Sequence, residues 1–529
     1  MKYSHLTADQ YITLLKQSHS TINATKLYVS TRNANVTIQN VEEIVSILKS
    51  LKKYMKFNIF DGIIDILNQK EKEISDSTEK IKELQEKLKE SQILSKIAEL
   101  KDSTNFEIVY NFLDELSENG NQEMMSKACK EGLWKKVAPA KDEEKDPKSN
   151  VLHVACEKGN LRLVKSLIEC GCYIEEDDYH WRTPLIIASK YGNLEVVKYL
   201  ISAGAEKEAH DYDRNTPLII ASCGGHLEVV KYLISVGANK DAKSNDLPTP
   251  LIAASCKGQL EVVKYLISVG ADKEAKDNDV FTSLVAAAGF GQLGVVKYLI
   301  SIGANKDAKS NDLPTPLIAA SCKGQLEVVK YLISVGADKE AKDKDGRTPL
   351  IAASEEDHLD VVKYLISVGA NKEAKDKDGN TPLMIASKWN ELEVVEYLIS
   401  VGANKEAKDN DGNTPLINAL KNYNVEVAIY LISVGVNKEA KDKDDITPLI
   451  IASKYGYLKV VKYLISVGAN KEAKDNDGNT PLIIASKKGK FEVVEYLISV
   501  GANKEAKNND GRSAIDVASG YTKTFLSDI

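Results

Sequence analysis

The sequence predicts an all-α repeat solenoid: helix-turn-helix units with projecting hairpin loops, preceded by a small helical N-terminal region. Three observations predict it. The forty-residue stretch "ANKDAKSNDLPTPLIAASCKGQLEVVKYLISVGADKEAKD" occurs twice without a difference, at Ala238 to Asp277 and at Ala304 to Asp343. "TPL" recurs at Thr183, Thr216, Thr249, Thr315, Thr348, Thr381, Thr414, Thr447 and Thr480, always 33 or 66 residues apart, and "TSL" at Thr282 fills the gap. All 13 prolines lie at Pro139 or later, so the first 120 residues share neither the period nor its punctuation. An enzyme needs different groups converging on one point, whereas identical copies suit an array that grows by adding units.

Residues 1–120 read as helical. "NVEEIVSILKSLKKY" and "FDGIIDILNQ" are amphipathic. Ile74, Ile81 and Leu88 alternate with Ser77, Leu84 and Ser91 in a heptad frame, the pattern of a short coiled coil. An intramolecular helical hairpin is the expected outcome, with self-association through residues 1–120 as its competitor. Residues 121–149 form a transition: "MMSKACKEGLWKKV", Met124 to Val137, keeps the Ala and Gly spacing of the repeats and is expected to be a degenerate cap, and "PAKDEEKDPKS" is a charged connector. The array covers residues 150–529, from "NVLHVAC" at Asn150 to a shortened, polar last unit beginning "SAIDVAS" at Ser513, which makes twelve units.

Each unit explains itself. In Arg182 to Asn215 the Thr183 hydroxyl can cap a helix whose first position is Pro184, where a missing N–H costs nothing. Leu185, Ile186, Ala188 and Ser189 follow at helical spacing until Gly192 allows a reversal. Leu194, Val197, Leu200 and Ile201 then mark a second helix that stops at Gly204. The polar remainder, "KDKDGN" in later units, carries the Asp-Gly signal of a tight turn projecting from the helices. Neither helix is long enough to stand alone, so the unit must stack on neighbours.

"TPL", "G-x-L-E-V-V-K-Y-L-I-S-V-G-A" and the 33-residue period resemble the ankyrin repeat. The resemblance implies a protein-binding scaffold or adaptor with no catalytic activity, its partner held on the concave surface of hairpin tips and first helices. The histidine usual after "TPL" survives only as His153; elsewhere Ile186, Ile219 or Ile252 replaces it. Residues 27–67, "LYVSTRNANVTIQNVEEIVSILKSLKKYMKFNIFDGIIDIL", are faintly similar to the C-terminal half of a BTB domain. That likeness implies an alternative, a substrate-recognition adaptor of a cullin ubiquitin ligase, although only 26 residues precede the match.

Composition narrows the function classes. With 70 basic and 77 acidic residues the net charge is -7 and the signs interleave, so nucleic acid is not an expected partner. No run approaches the roughly 18 to 20 apolar residues that span a bilayer, and the start lacks a signal-peptide core. A cytoplasmic, and in part nuclear, location is expected, with no membrane insertion. Of the seven cysteines, Cys223, Cys256 and Cys322 share one repeat position, about 8–10 Å apart in a helix stack and beyond disulfide reach.

Several chemical motifs dissolve into the repeat frame. "GFGQLG", Gly289 to Gly294, matches a nucleotide-loop pattern, yet a short helix precedes it and Gly291 is the ordinary inter-helix glycine. Cys156, Cys170, Cys172, His153 and His180 lack a zinc-ligand spacing, and each cysteine fills a small-residue position. Tyr199, Tyr232, Tyr265, Tyr298 and Tyr331 form a packing ladder on the second helix. No catalytic residue, cofactor or metal site is expected, and any enzymatic activity would have to reside in residues 1–120.

Variation between units marks where a partner would bind. Two positions before the threonine, later units carry Gly346, Gly379, Gly412 and Gly478 where earlier ones carry Trp181, Arg214, Leu247, Val280 and Leu313. The end of the first helix varies too, with Tyr191, Phe290, Trp389 and Tyr455 among smaller and charged residues. Apolar groups at loop tips supply contact area to a partner. The candidate partner-binding residues are therefore Tyr179, Trp181, Tyr212, Leu247, Phe281 and Leu313 with Tyr191, Phe290 and Trp389. Tip drift, or packing of adjacent tips on each other, is the competing explanation.

Overall fold

The computed structural model describes residues 59–139, 149–244, 249–275, 281–307 and 314–528, with Glu42, Val45, Ser46, Leu48 and Lys49 before them. The described residues contain 27 α-helices, one 3₁₀ turn and no strand; Val137 and Asn150 meet in an isolated antiparallel bridge. The chain divides into two compact units, residues 1–136 with 169–172, and residues 137–168 with 173–529. Most of the BTB-like stretch, residues 27–58, lies outside the described residues apart from the five named above.

In the first unit, helix α1 (Ile59–Lys101) runs without a break for 43 residues. The heptad segment is not folded back on itself: Ile81, Leu84 and Leu88 are each more than half exposed, while Ile63 and Leu67 at one end and Ile97 and Leu100 at the other are buried. No glycine or proline interrupts the helix from Ile63 to Lys101. Helix α2 (Phe106–Glu118) starts at Asn105, whose side chain accepts from the Ile108 N–H. Helix α3 (Gln122–Lys130) starts at Asn121 in the same way. Val109, Leu113, Met124, Met125 and Leu133 form the buried core of this unit. After the left-handed Gly132 the chain makes only a 3₁₀ turn, Leu133–Lys135, where repeats place a full second helix.

The second unit is the array. Its pairs begin with Val151–Glu157 and Leu161–Glu169, and Pro184–Lys190 and Leu194–Ser202 are typical. Thr183 caps its helix by accepting from the Ile186 N–H at 3.4 Å, and the bond recurs at Thr216, Thr249, Thr282, Thr315 and on to Thr480. Each such cap contributes about 1 kcal/mol. First helices are buried almost throughout: Leu185, Ile186, Ala188 and Ser189 are inaccessible to solvent. Second helices bury one stripe, Val196, Val197 and Leu200 in this pair, and expose the other.

Where the histidine survives, it does two things at once. His153 Nδ1 accepts from the Asn150 N–H at 3.3 Å, and Nε2 meets the Glu176 carbonyl at 2.8 Å, tying the helix start to the loop of its own unit. Burial, its largest influence, holds the His153 imidazole below its ordinary pKa and hence neutral. In most other units an isoleucine takes the place and packs, as Ile219 does against Ala242 and Ala253.

A second ladder crosses from unit to unit. In seven units the residue after the inter-helix turn reaches back 36 or 37 positions to a carbonyl at the end of the preceding first helix. Asn193 donates to Cys156 and Glu157, His226 to Lys190, Gln292 to Cys256, His358 to Cys322 and Asn424 to Ser387 and Lys388. These bonds satisfy carbonyls that a helix end would otherwise leave unpaired.

Candidate functional site

The finger tips are built around a buried aspartate. Asp178 Oδ1 accepts from the backbone N–H of His180 at 2.9 Å and of Arg182 at 3.0 Å, and its other oxygen accepts from Arg182 Nε at 2.8 Å. Asp211, Asp343 and Asp409 hold their tips in the same fashion. The tips are therefore side-chain-locked turns and not paired strands. Successive tips are joined by one backbone bond, as from the Tyr212 N–H to the His180 carbonyl at 2.9 Å.

This framework pushes the earliest tip side chains outward. Tyr179 is 82% exposed, Trp181 52% and Tyr212 66%. Trp181 and Tyr212 meet edge to face with centroids 5.8 Å apart, so adjacent tips do pack on each other, yet both rings stay largely open to solvent. Trp181 holds φ at +58°, a left-handed conformation that costs a non-glycine residue about 1–2 kcal/mol. Arg214 and Asp445 do the same at their tips. Phe281 is half-buried, and Leu247 and Leu313 lie outside the described residues.

The remaining candidates occupy a different place in the repeat. Tyr191, Phe290 and Trp389 stand where the first helix ends, exposed, with Lys190 over the Tyr191 ring and Lys388 over the Trp389 ring. They do not belong to the tips, and the seven described candidates thus fall into two sets.

A family profile described as "Ankyrin repeats (3 copies)" matches residues 105–211, 207–277, 275–343, 317–409, 401–475 and 465–526. The chain belongs to the ankyrin-repeat family. Among solved structures it is similar to the ankyrin repeat domain of Bcl-3, "a unique member of the IkappaB protein family", at 28% identity, with 41% of this chain and 100% of that chain covered and a TM-score of 0.38. The human ASB11 ankyrin repeat domain is similar at 27% identity over 41% and 97% of the two chains, also with a TM-score of 0.38. No curated protein sequence matches the chain. Ankyrin repeats form a protein-interaction scaffold, and no described helix is long and apolar enough to cross a membrane.

Other motifs of this ankyrin-repeat protein find structural places. Gly289 closes the helix Ser283–Gly289, and Gly291 makes the inter-helix turn at φ +75°. Cys156 is core, His153 is bonded on both ring nitrogens and His180 is at a tip; among the described residues no three histidine, cysteine, aspartate or glutamate side chains are placed to hold a metal. None of the seven cysteines is in a disulfide. The tyrosine ladder packs between second helices, with Lys165 over Tyr199 at 5.5 Å and Lys297 over Tyr331 at 5.6 Å.

One aromatic group escapes the sequence. Tyr423, Tyr455 and Tyr457 come together with centroids 5.2, 6.1 and 5.7 Å apart. Tyr423 is 67% exposed and left-handed at φ +70°, in the turn where other units have glycine. The Tyr457 hydroxyl is buried without a hydrogen-bond partner, and burial together with Tyr423 and Tyr455 pushes it up to about 12. The findable signal was "KNYN" followed one period later by "KYGY".

Proposed function

We propose that this ankyrin-repeat protein is a non-catalytic scaffold whose tips in the first units of the array hold a protein partner, while its N-terminal helices self-associate. One observation carries the first part: the exposed Tyr179, Trp181 and Tyr212 rings sit at tips where Trp181 accepts a left-handed backbone that most later units, with Gly346, Gly379, Gly412 and Gly478, give to glycine. Stability alone favours glycine there, and aromatic residues on a rigid support are what interface centres use. The self-association rests on Ile81, Leu84 and Leu88, an exposed apolar stripe on an otherwise charged helix.

The test is affinity capture with the full chain and a variant in which Trp181, Tyr212, Leu247 and Leu313 are changed to serine. Capture is expected to fall while helical signal and unfolding midpoint hold. Matched changes at Lys198, Lys231, Lys264 and Lys330, which form exposed ion pairs with glutamates three residues before them, leave both unchanged. Normal binding by the tip variant, or binding lost only through unfolding, would sink the assignment; capture of a cullin-type ligase that depends on residues 1–120 would favour the adaptor instead.

A further inference from the structure

Three of the seven thiols gather in the first compact unit. Cys129, at the end of α3, accepts from Cys172 with sulfurs 3.8 Å apart, and Cys170 lies beside the same sulfur. A second tie joins the two segments, Gln122 Nε2 donating to Glu169 Oε2 at 3.0 Å. The remaining cysteines lack this arrangement: Cys156 is sealed in the core, and Cys223, Cys256 and Cys322 are spread along the array.

We propose that Cys129 and Cys172 are an oxidation site at which a hydroperoxide installs a reversible disulfide, covalently fastening α3 to the segment Glu169–Cys172. Closing the bond requires the sulfurs to approach by roughly 2 Å, to the 2.05 Å of a disulfide. Cys172 follows the left-handed Gly171, at which an added Cβ would meet nothing within 4 Å, so the turn before it has room to shift. Half-exposed Cys170 marks where solvent reaches the cluster, while Cys129 and Cys172 are buried.

The chemistry balances. Cys129 gives up its proton, and its thiolate attacks one oxygen of the peroxide; the O–O bond breaks, the sulfur is oxidised by two electrons to a sulfenic acid, and an alcohol, or water from hydrogen peroxide, leaves with a proton. The Cys172 thiolate then attacks that sulfur, the S–S bond forms, the S–O bond breaks, and the hydroxide departs as water with the Cys172 proton. Cys129 is the favoured first sulfur: hydrogen bonding from Cys172, the largest influence, with further help from Cys170, holds its thiol below the ordinary value despite burial. Burial pushes Cys170 up to about 11.

The product closes a loop between residues 43 apart in sequence, so opening of α3 away from the array-side segment should become rarer. The experiment treats the full-length protein with hydrogen peroxide, alkylates remaining thiols and maps the peptides, with amide exchange read in parallel. Expected are loss of two of the seven thiols, a linked peptide pair carrying Cys129 and Cys172, recovery with dithiothreitol, and exchange in Gln122–Lys130 slowed about tenfold or more. C170S should keep the link. Modification of Cys223 or Cys256 ahead of this pair, or a link from Cys129 to Cys170, would overturn the proposal on unmutated protein, independent of whether any variant folds.

Discussion

The units before Thr348 and the three that begin there put their left-handed non-glycine residues in opposite turns. In the earlier units the inter-helix turns hold Gly192, Gly225, Gly258, Gly291 and Gly324, while the tips hold Trp181 at φ +58° and Arg214 at φ +62°. From Thr348 the tips hold Gly346, Gly379 and Gly412, while the inter-helix turns hold Asp357 at φ +58°, Asn390 at φ +70° and Tyr423 at φ +70°. Both turns lie against the next unit. The early tip rings of Trp181 and Tyr212 stay largely open to solvent while touching each other, and at the later tips a Cβ would meet the next tip, the Lys377 backbone for Gly346 and the Asn410 side chain for Gly379. At the inter-helix turn a Cβ meets the bridging residue of the next unit: one added at Gly192 would run into the His226 ring, and one at Gly258 into the Gln292 amide.

The consequence is visible in the ladder. Glu391 follows Asp357 by one unit and Tyr457 follows Tyr423, and neither provides the bridging donor that Gln292 or His226 provides. The Glu391 carboxyl has instead been pushed up to about 7, first by burial and then by Asp357 and Glu356. Asn424, after Asn390, is short enough to keep its bonds to Ser387 and Lys388. Side chains in the later inter-helix turns thus weaken stacking. Local opening is accordingly expected to begin around Thr348 to Val436.

The largest test imposes the later arrangement on an earlier unit. Gly258→Asp should cost about 2–3 kcal/mol, combining a left-handed Cβ with loss of the Gln292 bond, and should appear as faster amide exchange in Leu260–Ser268 and Leu293–Ser301. A smaller effect runs the other way. Asp357→Gly with Glu391→Gln rebuilds the Gly258 and Gln292 pairing and should stabilise by about 2 kcal/mol, more than the two single changes together. The same double change should remove a pH dependence. The folded chain holds the Glu391 proton more tightly than the unfolded chain, which releases it near the ordinary 4.5. Stability from this group is therefore fully present below that value and lost as pH rises towards about 7. Amide exchange in Leu392–Ser400, corrected for its intrinsic rate, should accelerate across that window in the unmutated protein and not in the double variant.

Much of the fold was legible because its signals are local. Thr183 and Pro184 sit next to each other, Gly192 and Gly204 fall where helices must stop, and every unit repeats the message. The tip candidates were legible as departures from that message, which is how Trp181 and Tyr212 stand out. What the sequence hid are meetings that exist only after stacking: Tyr423 with Tyr455 and Tyr457, Gln292 with the Cys256 carbonyl, and Cys129 with Cys172. The heptad segment of the N-terminal region shows a different limit. Ile81, Leu84 and Leu88 repeat as a seam would, but they lie exposed in one helix that no glycine or proline interrupts from Ile63 to Lys101.

The central claim is that tip strain in the earliest units serves binding and not folding, and Trp181→Gly in the full chain measures it most directly. Glycine relieves the left-handed backbone at that position, so the unfolding midpoint should hold or rise, by up to about 1 kcal/mol of stability. Removing the indole should at the same time reduce partner capture about tenfold or more. A variant that gains stability and loses capture supports the account, and one that gains stability while binding its partner as before contradicts it.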